Sequence, residues 1–178
     1  FAAFFDQPVM LFHISTAEAV DVVRQARAKG APIWAETCPH YLLMTAADLV
    51  RDGLEGAKLM CSPPQRTHAV QEALWEGLSD GTLDLISSDH APYRFDATGK
   101  LSAGPTARFD QIANGLPGLE TRLPLLYAAV RQPGSFDLPD FVKWTSESPA
   151  ELYGMTTKGR IAIRFDADLV VWDPDKTV

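Results

Sequence analysis

Apolar positions in this chain fall into short unbroken runs separated by segments of helical period. Pro8 to His13 (PVMLFH) is nearly all apolar, the pattern of a strand buried on both faces of a parallel sheet. Ser15 and Glu18 then stand in capping-box register, and Ala19, Val22, Val23 and Ala26 share one helical face before Gly30. Pro32 to Cys38 (PIWAETC) predicts a second strand, followed by a polar helical turn or two around Ala46 to Arg51. Ala57 to Cys61 (AKLMC) predicts a further short strand. Val70, Ala73, Leu74 and Leu78 mark an amphipathic helix stopped at Gly81, and Leu83 to Ser87 returns to strand character ahead of Asp89. Strands alternating with helices imply crossover connections and a parallel sheet, hence an α/β fold.

From Ala91 to Glu120 the periodicity lapses into a stretch rich in Gly and Pro. A structureless stretch of that length predicts a functional loop, because it begins directly after the end of a candidate catalytic strand. Helical period resumes at Leu119, Leu123, Leu126 and Val130, with Pro124 near the start, and again from Pro139 to Trp144. Ser148, Pro149 and Glu151 read as a fresh helix start, with proline at the first helical position and Gly154 as the stop. Arg160 to Ile163 and Leu169 to Trp172 read as two strands joined by a turn at Asp166, Ala167 and Asp168, as if a small β unit began there.

Composition narrows the function classes. The 178 residues are 46% apolar and 22% charged, an ordinary globular balance that argues against disorder and disulfide-dense scaffolds. A net charge of -7 without a Lys/Arg run argues against nucleic acid as a partner. Val9 to Phe12, the longest clean apolar stretch near the start, is far short of the roughly 20 residues needed to cross a bilayer. No membrane partner or targeting segment is expected. The two cysteines, Cys38 and Cys61, read as reduced thiols, pointing to the cytoplasm. The chain opens at Phe1, not methionine, close to a strand-like run, so its beginning is expected to be a cut edge.

Two polar residues close apolar strands: His13 after VMLF and Asp89 after LDLISS. In a β/α barrel the carboxyl ends of the strands converge on one rim, so these distant residues can face a common centre. Imidazole and carboxylate suit a divalent metal such as zinc, although two ligands are fewer than the three protein ligands a zinc site normally needs. The same pair can equally be a histidine satisfied by a buried hydrogen bond and an aspartate capping the next turn. His40 could line a pocket or pack beneath a loop, packing being the favoured reading; His90 reads as a support behind the ligands or an anchor for its loop, not a direct ligand; and His68 reads as a solvated helix residue. Cys38 and Cys61 read as buried and inert, and Trp34, Trp75, Trp144 and Trp172 as core. Neither a Gly-rich phosphate loop nor a GxSxG elbow is present.

Several phrases occur together and in order: ETCPHYL (Glu36 to Leu42), CSPPQR (Cys61 to Arg66), SSDHAPYRF (Ser87 to Phe95), ANGLPGLETRLPLL (Ala113 to Leu126) and KGRIAIRFDADLVVWDP (Lys158 to Pro174). From about Pro8 onward the chain resembles the C-terminal half of the hydantoinase and dihydropyrimidinase branch of the cyclic amidohydrolases. The resemblance implies the C-terminal half of a TIM-like β/α barrel over residues 1–157 and the start of a small β-sandwich domain over 158–178. It further implies two divalent metal ions, zinc being the expected metal, held by four histidines, one aspartate and a bridging carboxylated lysine. His13 matches the histidine of the HxS phrase, a ligand of one metal. Asp89 matches the aspartate of the last barrel strand, a ligand of the other metal and the catalytic proton shuttle. Ser62 and Asn114 match positions whose backbone groups bind the cyclic amide substrate. The HxH pair, the carboxylated lysine and one further histidine are expected before Phe1. Arg164 stands where glycine is usual before the DAD turn, and Gln65 replaces a more usual apolar residue.

The implied activity is hydrolytic opening of a dihydropyrimidine or 5-substituted hydantoin to an N-carbamoyl amino acid, in a cytoplasmic homo-oligomer, tetrameric by resemblance. The segment alone is expected to be inactive. An allantoinase or dihydroorotase activity is the nearest alternative, since ETCPHYL and the HxS phrase are shared across those branches, and ANGLPGLETR tilts the reading away from it. A non-catalytic scaffold of the same fold is the other, against which the retention of His13 and Asp89 argues.

Overall fold

The computed structural model describes residues 1–132 and 136–175. Three parallel strands, β1 (Val9–Leu11), β2 (Ile33–Thr37) and β3 (Leu85–Ile86), stand side by side in sequence order. Val9 faces Ile33 and Leu11 faces Ala35 in the first pair, while Glu36 faces Leu85 and Thr37 faces Ile86 in the second. Parallel neighbours cannot be joined by a tight turn, so each connection carries a helix across the sheet.

After a single turn at α1 (Ala2–Phe5), α2 (Ala17–Ala28) makes the first crossover. Its start lies one residue beyond the Ser15 expected from sequence: Thr16 is the cap, its hydroxyl accepting from the Ala19 N–H at 3.1 Å. Ser15 is instead buried. The second crossover begins with the short α3 (Pro39–Leu43) and ends with α4 (His68–Ser79). Val20 and Val23 of α2 and Leu74 and Leu78 of α4 are buried together with Ala35, Leu83 and Ile86 of the sheet region. Each of the valine, leucine and isoleucine side chains contributes about 1.5–3 kcal/mol relative to exposure. Below the sheet, Arg27 reaches from α2 to the carbonyls of Ile33 (2.8 Å) and Gly81 (2.6 Å) and pairs with Asp84, which also accepts from the Ala35 N–H at 2.8 Å. This bolt ties the amino ends of β2 and β3 to one helix.

Residues Glu55–Leu59 form a 3₁₀ turn where the apolar run predicted a strand. Gly56 explains the difference: an added Cβ would meet the Leu49 carbonyl oxygen at 2.0 Å, so this segment packs flat on the preceding turn Ala46–Leu49 and leaves no room for a pleat. Beyond the long loop, α5 (Arg122–Val130) and α6 (Leu138–Val142) buttress the core. Ser148 does not start a new helix. The helical path runs from α6 through a π turn at Lys143–Glu147 directly into α7 (Ser148–Leu152). The wider turn lies where the Pro149 ring would otherwise strike the carbonyl of Thr145. Trp144, 2% exposed, and Trp75 pack around Phe136, as core tryptophans do.

Residues 158–175 contain no paired strand, contrary to the alternation at Arg160 to Ile163 and Leu169 to Trp172. Two isolated strands are marginal in water without a third or a covering layer. Here Ile161, Ile163 and Val171 stand 89%, 93% and 96% exposed. The turn falls earlier than the expected Asp166 to Asp168: the Phe165 N–H closes on the Ala162 carbonyl at 3.1 Å with Arg164 at φ 73°, and Lys158 pairs with the carboxylates of Asp166 and Asp168. Trp172 packs on Tyr127 of α5 at 4.7 Å. Residues 176–178 lie outside the described residues.

Candidate metal centre

Three ionisable side chains that could carry chemistry, His13, Glu36 and Asp89, gather at the carboxyl ends of the three strands. Beyond β1 the chain turns sharply at His13 (φ 59°), and beyond β3 at Asp89 (φ 45°). Left-handed backbone at a side chain other than glycine is uncommon and costs on the order of 1–3 kcal/mol, held only where the surroundings over-determine it. Here they do: the Ile14 N–H donates to the Glu36 carbonyl at 2.9 Å, and the Thr37 hydroxyl to the Ile14 carbonyl at 2.8 Å. The Ser87 N–H bonds Thr37 at 3.0 Å. The result brings His13 Nε2 to 3.5 Å from Asp89 Oδ1, with the two side chains 32% and 25% exposed, open to a ligand from above.

Beneath them lies a carboxylate that sequence reasoning did not single out. Glu36 of β2 is 1% exposed, with Oε1 3.8 Å from His13 Nε2 and 2.7 Å from the donating Ser87 hydroxyl. Burial pushes its pKa up, against the pull of the Ser87 hydrogen bond and of His13. Its signal in the sequence is a lone charged residue inside the apolar run PIWAETC, a position where an unpaired carboxylate would be costly. Ligating atoms of His13, Glu36 and Cys38 all lie within 4.8 Å of one another.

The donor set fits a divalent metal. Imidazole and carboxylate are ordinary ligands of such an ion, and the 3.5 Å approach of His13 and Asp89 lets each reach one ion of a metal pair about 3.5–4 Å apart, with the buried Glu36 carboxylate beside them. Cys38 belongs to the cluster by distance but not by chemistry. Its thiol is fully buried, 3.3 Å from the Ser87 hydroxyl, and burial drives its pKa far above the ordinary range, so it remains a protonated thiol. Imidazole and carboxylates are the competent donors.

The remaining candidates sort themselves out. His90 Nδ1 accepts from the N–H groups of Gly118 (3.0 Å) and Leu119 (3.1 Å), anchoring the loop that follows Asp89. His40 is buried against the Tyr41 ring at 4.1 Å, and burial lowers its pKa to about 4. His68 is exposed beside Glu72. Cys61 is buried, its pKa pushed up to about 11 by desolvation. Gln65, unexplained by sequence, donates to the Leu59 carbonyl at 2.8 Å and so closes the 3₁₀ turn.

Ser62 and Asn114 are exposed and line one cavity of about 480 Å³ with Met60, Cys61, Phe109 and Ile112. His13, Glu36 and Asp89 are not among its walls. The Gly115 N–H donates to the Met60 carbonyl at 3.0 Å, and the Ala91 N–H to the Leu116 carbonyl at 2.9 Å. The second bond couples this cradle to the turn at Asp89. Gly115 has φ 148°, and a Cβ there would meet the Ala91 carbonyl oxygen at 2.3 Å. Only glycine allows so close a crossing.

A parallel β/α sheet with imidazole and carboxylates at its carboxyl rim is the architecture of a barrel hydrolase built for metal. The amidohydrolase family pattern matches residues 9–178, and the chain belongs to that family of metal-dependent hydrolases. It is 40% identical over 169 residues to the D-hydantoinase of Rhizobium radiobacter, an alignment that covers 94% of this chain and 36% of that protein. In structure it is similar to the dihydropyrimidinase from Brevibacillus agri, with TM-score 0.86 and 38% identity over 93% of this chain and 36% of that one. A D-hydantoinase (dihydropyrimidinase) from Thermus sp. superposes with TM-score 0.88 at 36% identity, covering 99% and 38% of the two chains. The chain thus spans a little over a third of the length of the relatives it matches, and its fold is that of the corresponding part of their barrel.

Proposed function

We propose that the complete enzyme containing this segment hydrolyses a cyclic amide, a dihydropyrimidine or a 5-substituted hydantoin, to an N-carbamoyl amino acid. The observation that carries the reading is the 3.5 Å approach of His13 and Asp89 at the strand ends, beside buried Glu36, in a chain with hydantoinase and dihydropyrimidinase relatives. His13 and Asp89 would each hold one of two divalent ions, zinc being the expected metal. The carboxylated lysine and other histidines of the ligand set would come from outside residues 1–178. Bound there, such ions would lower the pKa of a water toward neutrality and would polarise the attacked carbonyl.

The chain's own residues perform the rest. Asp89 Oδ1 accepts the proton of the attacking water and returns it to the departing ring nitrogen, acting first as base and then as acid. Backbone groups at Ser62 and Asn114 hold the ring so that one carbonyl faces the nucleophile. Glu36, below the rim, adds negative potential that favours cation binding without touching the substrate.

Residues 1–157 are read as barrel and 158–178 as the start of a small β-sandwich domain, supported by the change from a buried to an exposed apolar pattern near that boundary. A homotetramer in the cytoplasm completes the reading. Among the described residues, no helix is long and apolar enough to cross a membrane.

The test is substrate profiling of the full-length enzyme. Turnover of dihydrouracil or a 5-substituted hydantoin, with N-carbamoyl product by mass spectrometry, is expected to exceed that of allantoin and dihydroorotate. Preference for either of the latter would move the enzyme to a neighbouring branch. No turnover with any ring, together with no bound metal, would mark a non-catalytic scaffold.

A further inference from the structure

Lys100 is 2% exposed, and no carboxylate pairs with it among the described residues. A lysine is almost never buried this deeply without a counter-ion, because the ammonium loses its hydration and gains nothing ionic in return. Its Nζ instead donates to two main-chain carbonyls, Met60 at 3.0 Å and Ala113 at 2.9 Å. Those two residues precede Cys61 and Asn114, which line the cradle together with Ser62. Burial lowers the amine's pKa, as expected for a group whose charge is offset only by dipoles.

The peptide unit explains why this matters. In a planar trans peptide the C=O and the following N–H point in opposite directions. Pulling the Ala113 carbonyl inward onto Lys100 therefore turns the Asn114 N–H outward, and the Met60 carbonyl fixes the Cys61 N–H in the same way. One ammonium thus sets the orientation of two separate strips of backbone, and the bond from Gly115 N–H to Met60 O locks their spacing.

Lys100 is delivered by a compact loop. The Asp96 side chain accepts from the Thr98 N–H at 2.8 Å, and the Lys100 N–H closes on the Arg94 carbonyl at 2.9 Å. The Tyr93 ring lies 6.0 Å from Nζ. This loop starts from the Asp89 turn, so the catalytic strand end and the cradle share one connector.

We propose that Lys100 is a positioning residue for substrate, its buried ammonium holding the 60–62 and 113–115 backbone in the orientation that binds the cyclic amide. The proposal rests on the reading of Ser62 and Asn114 as ring-binding positions. Lys100→Met keeps the volume and removes the charge and donors, and is compared with Lys100→Arg in the full-length metal-loaded enzyme. Dihydrouracil kinetics, calorimetric binding of N-carbamoyl-β-alanine and metal content are measured together.

Lys100→Met is expected to raise KM and weaken product binding about tenfold or more, as for loss of hydrogen bonds from a charged donor, with kcat within about threefold and metal content unchanged. Lys100→Arg is expected to fall between that variant and wild type. A wild-type KM in Lys100→Met, or equal loss of kcat, metal and binding, would overturn the proposal while leaving the ring-opening activity standing. Failure of wild type itself to bind or open the ring removes the parent reading, and the proposal with it. If Lys100→Met does not accumulate folded, Lys100→Gln replaces it, and equal KM values in wild type, Gln and Arg forms would overturn the proposal.

Discussion

The rim and the cradle are built from different materials. The rim is strand ends: Glu36 stands in the β2 ladder, while His13 and Asp89 sit in left-handed turns just beyond β1 and β3, where Ile14 and Ser87 bond back to β2. The cradle is loop: Ser62 and Asn114 sit outside the three-stranded sheet, on segments tied by the Gly115–Met60 and Ala91–Leu116 backbone bonds and by the two bonds from Lys100. The difference teaches a division of labour. Groups that must meet a reacting atom within a fraction of an ångström are mounted on the sheet, while groups that recognise the ring are mounted on chain that can vary.

Breaking the rim has the largest expected effect. Asp89→Asn in the full-length enzyme keeps the shape but cannot take the proton, and kcat is expected to fall about 10²–10⁴-fold. Activity within a few fold of wild type would remove the role assigned to Asp89. Breaking the cradle costs less and shows elsewhere. Gly115→Ala drives a methyl into the Ala91 carbonyl, now 2.3 Å from the ideal Cβ position. An overpacking penalty of about 1–3 kcal/mol is expected, read as a lower melting temperature, and displacement of the 113–115 strip is expected to raise KM more than it lowers kcat. Equal loss of both constants would mean that cradle and rim are one unit.

The smallest effect sharpens the comparison from below. His40 packs beneath the rim with its pKa lowered from 6.5 to about 4. A depressed folded value stabilises the protein above the unfolded value, and that contribution is lost as pH falls. Thermal stability is therefore expected to decline between pH 6.5 and about 4 by on the order of 2–3 kcal/mol from this residue. His40→Gln should flatten that part of the profile in a pH series of melting curves. An unchanged slope would show that other groups set it.

Legibility in the sequence followed the same division. His13 and Asp89 stand out because each closes an apolar run, and strand direction alone sends both to one rim. Glu36 carried a weaker sign, a charge within a buried strand, which makes sense only once Ser87 and His13 are seen beside it. Ser62 and Asn114 came from family resemblance alone, because loops have no period to read. Lys100 had no signal at all: its partners are main-chain carbonyls 40 and 13 residues away. Short apolar runs misled for a physical reason. Ala57 to Cys61 and Leu169 to Trp172 have strand composition, but the first is pressed into a 3₁₀ turn by Gly56 and the second lacks a partner strand.

The central claim is that His13 and Asp89 face one metal-bearing centre, and an anomalous-scattering map of the full-length enzyme at the zinc edge tests it most directly. The account predicts two peaks about 3.5–4 Å apart, one about 2.0–2.2 Å from His13 Nε2 and the other within the same range of an Asp89 carboxylate oxygen. Metal bound elsewhere, with both side chains left uncoordinated, would contradict it.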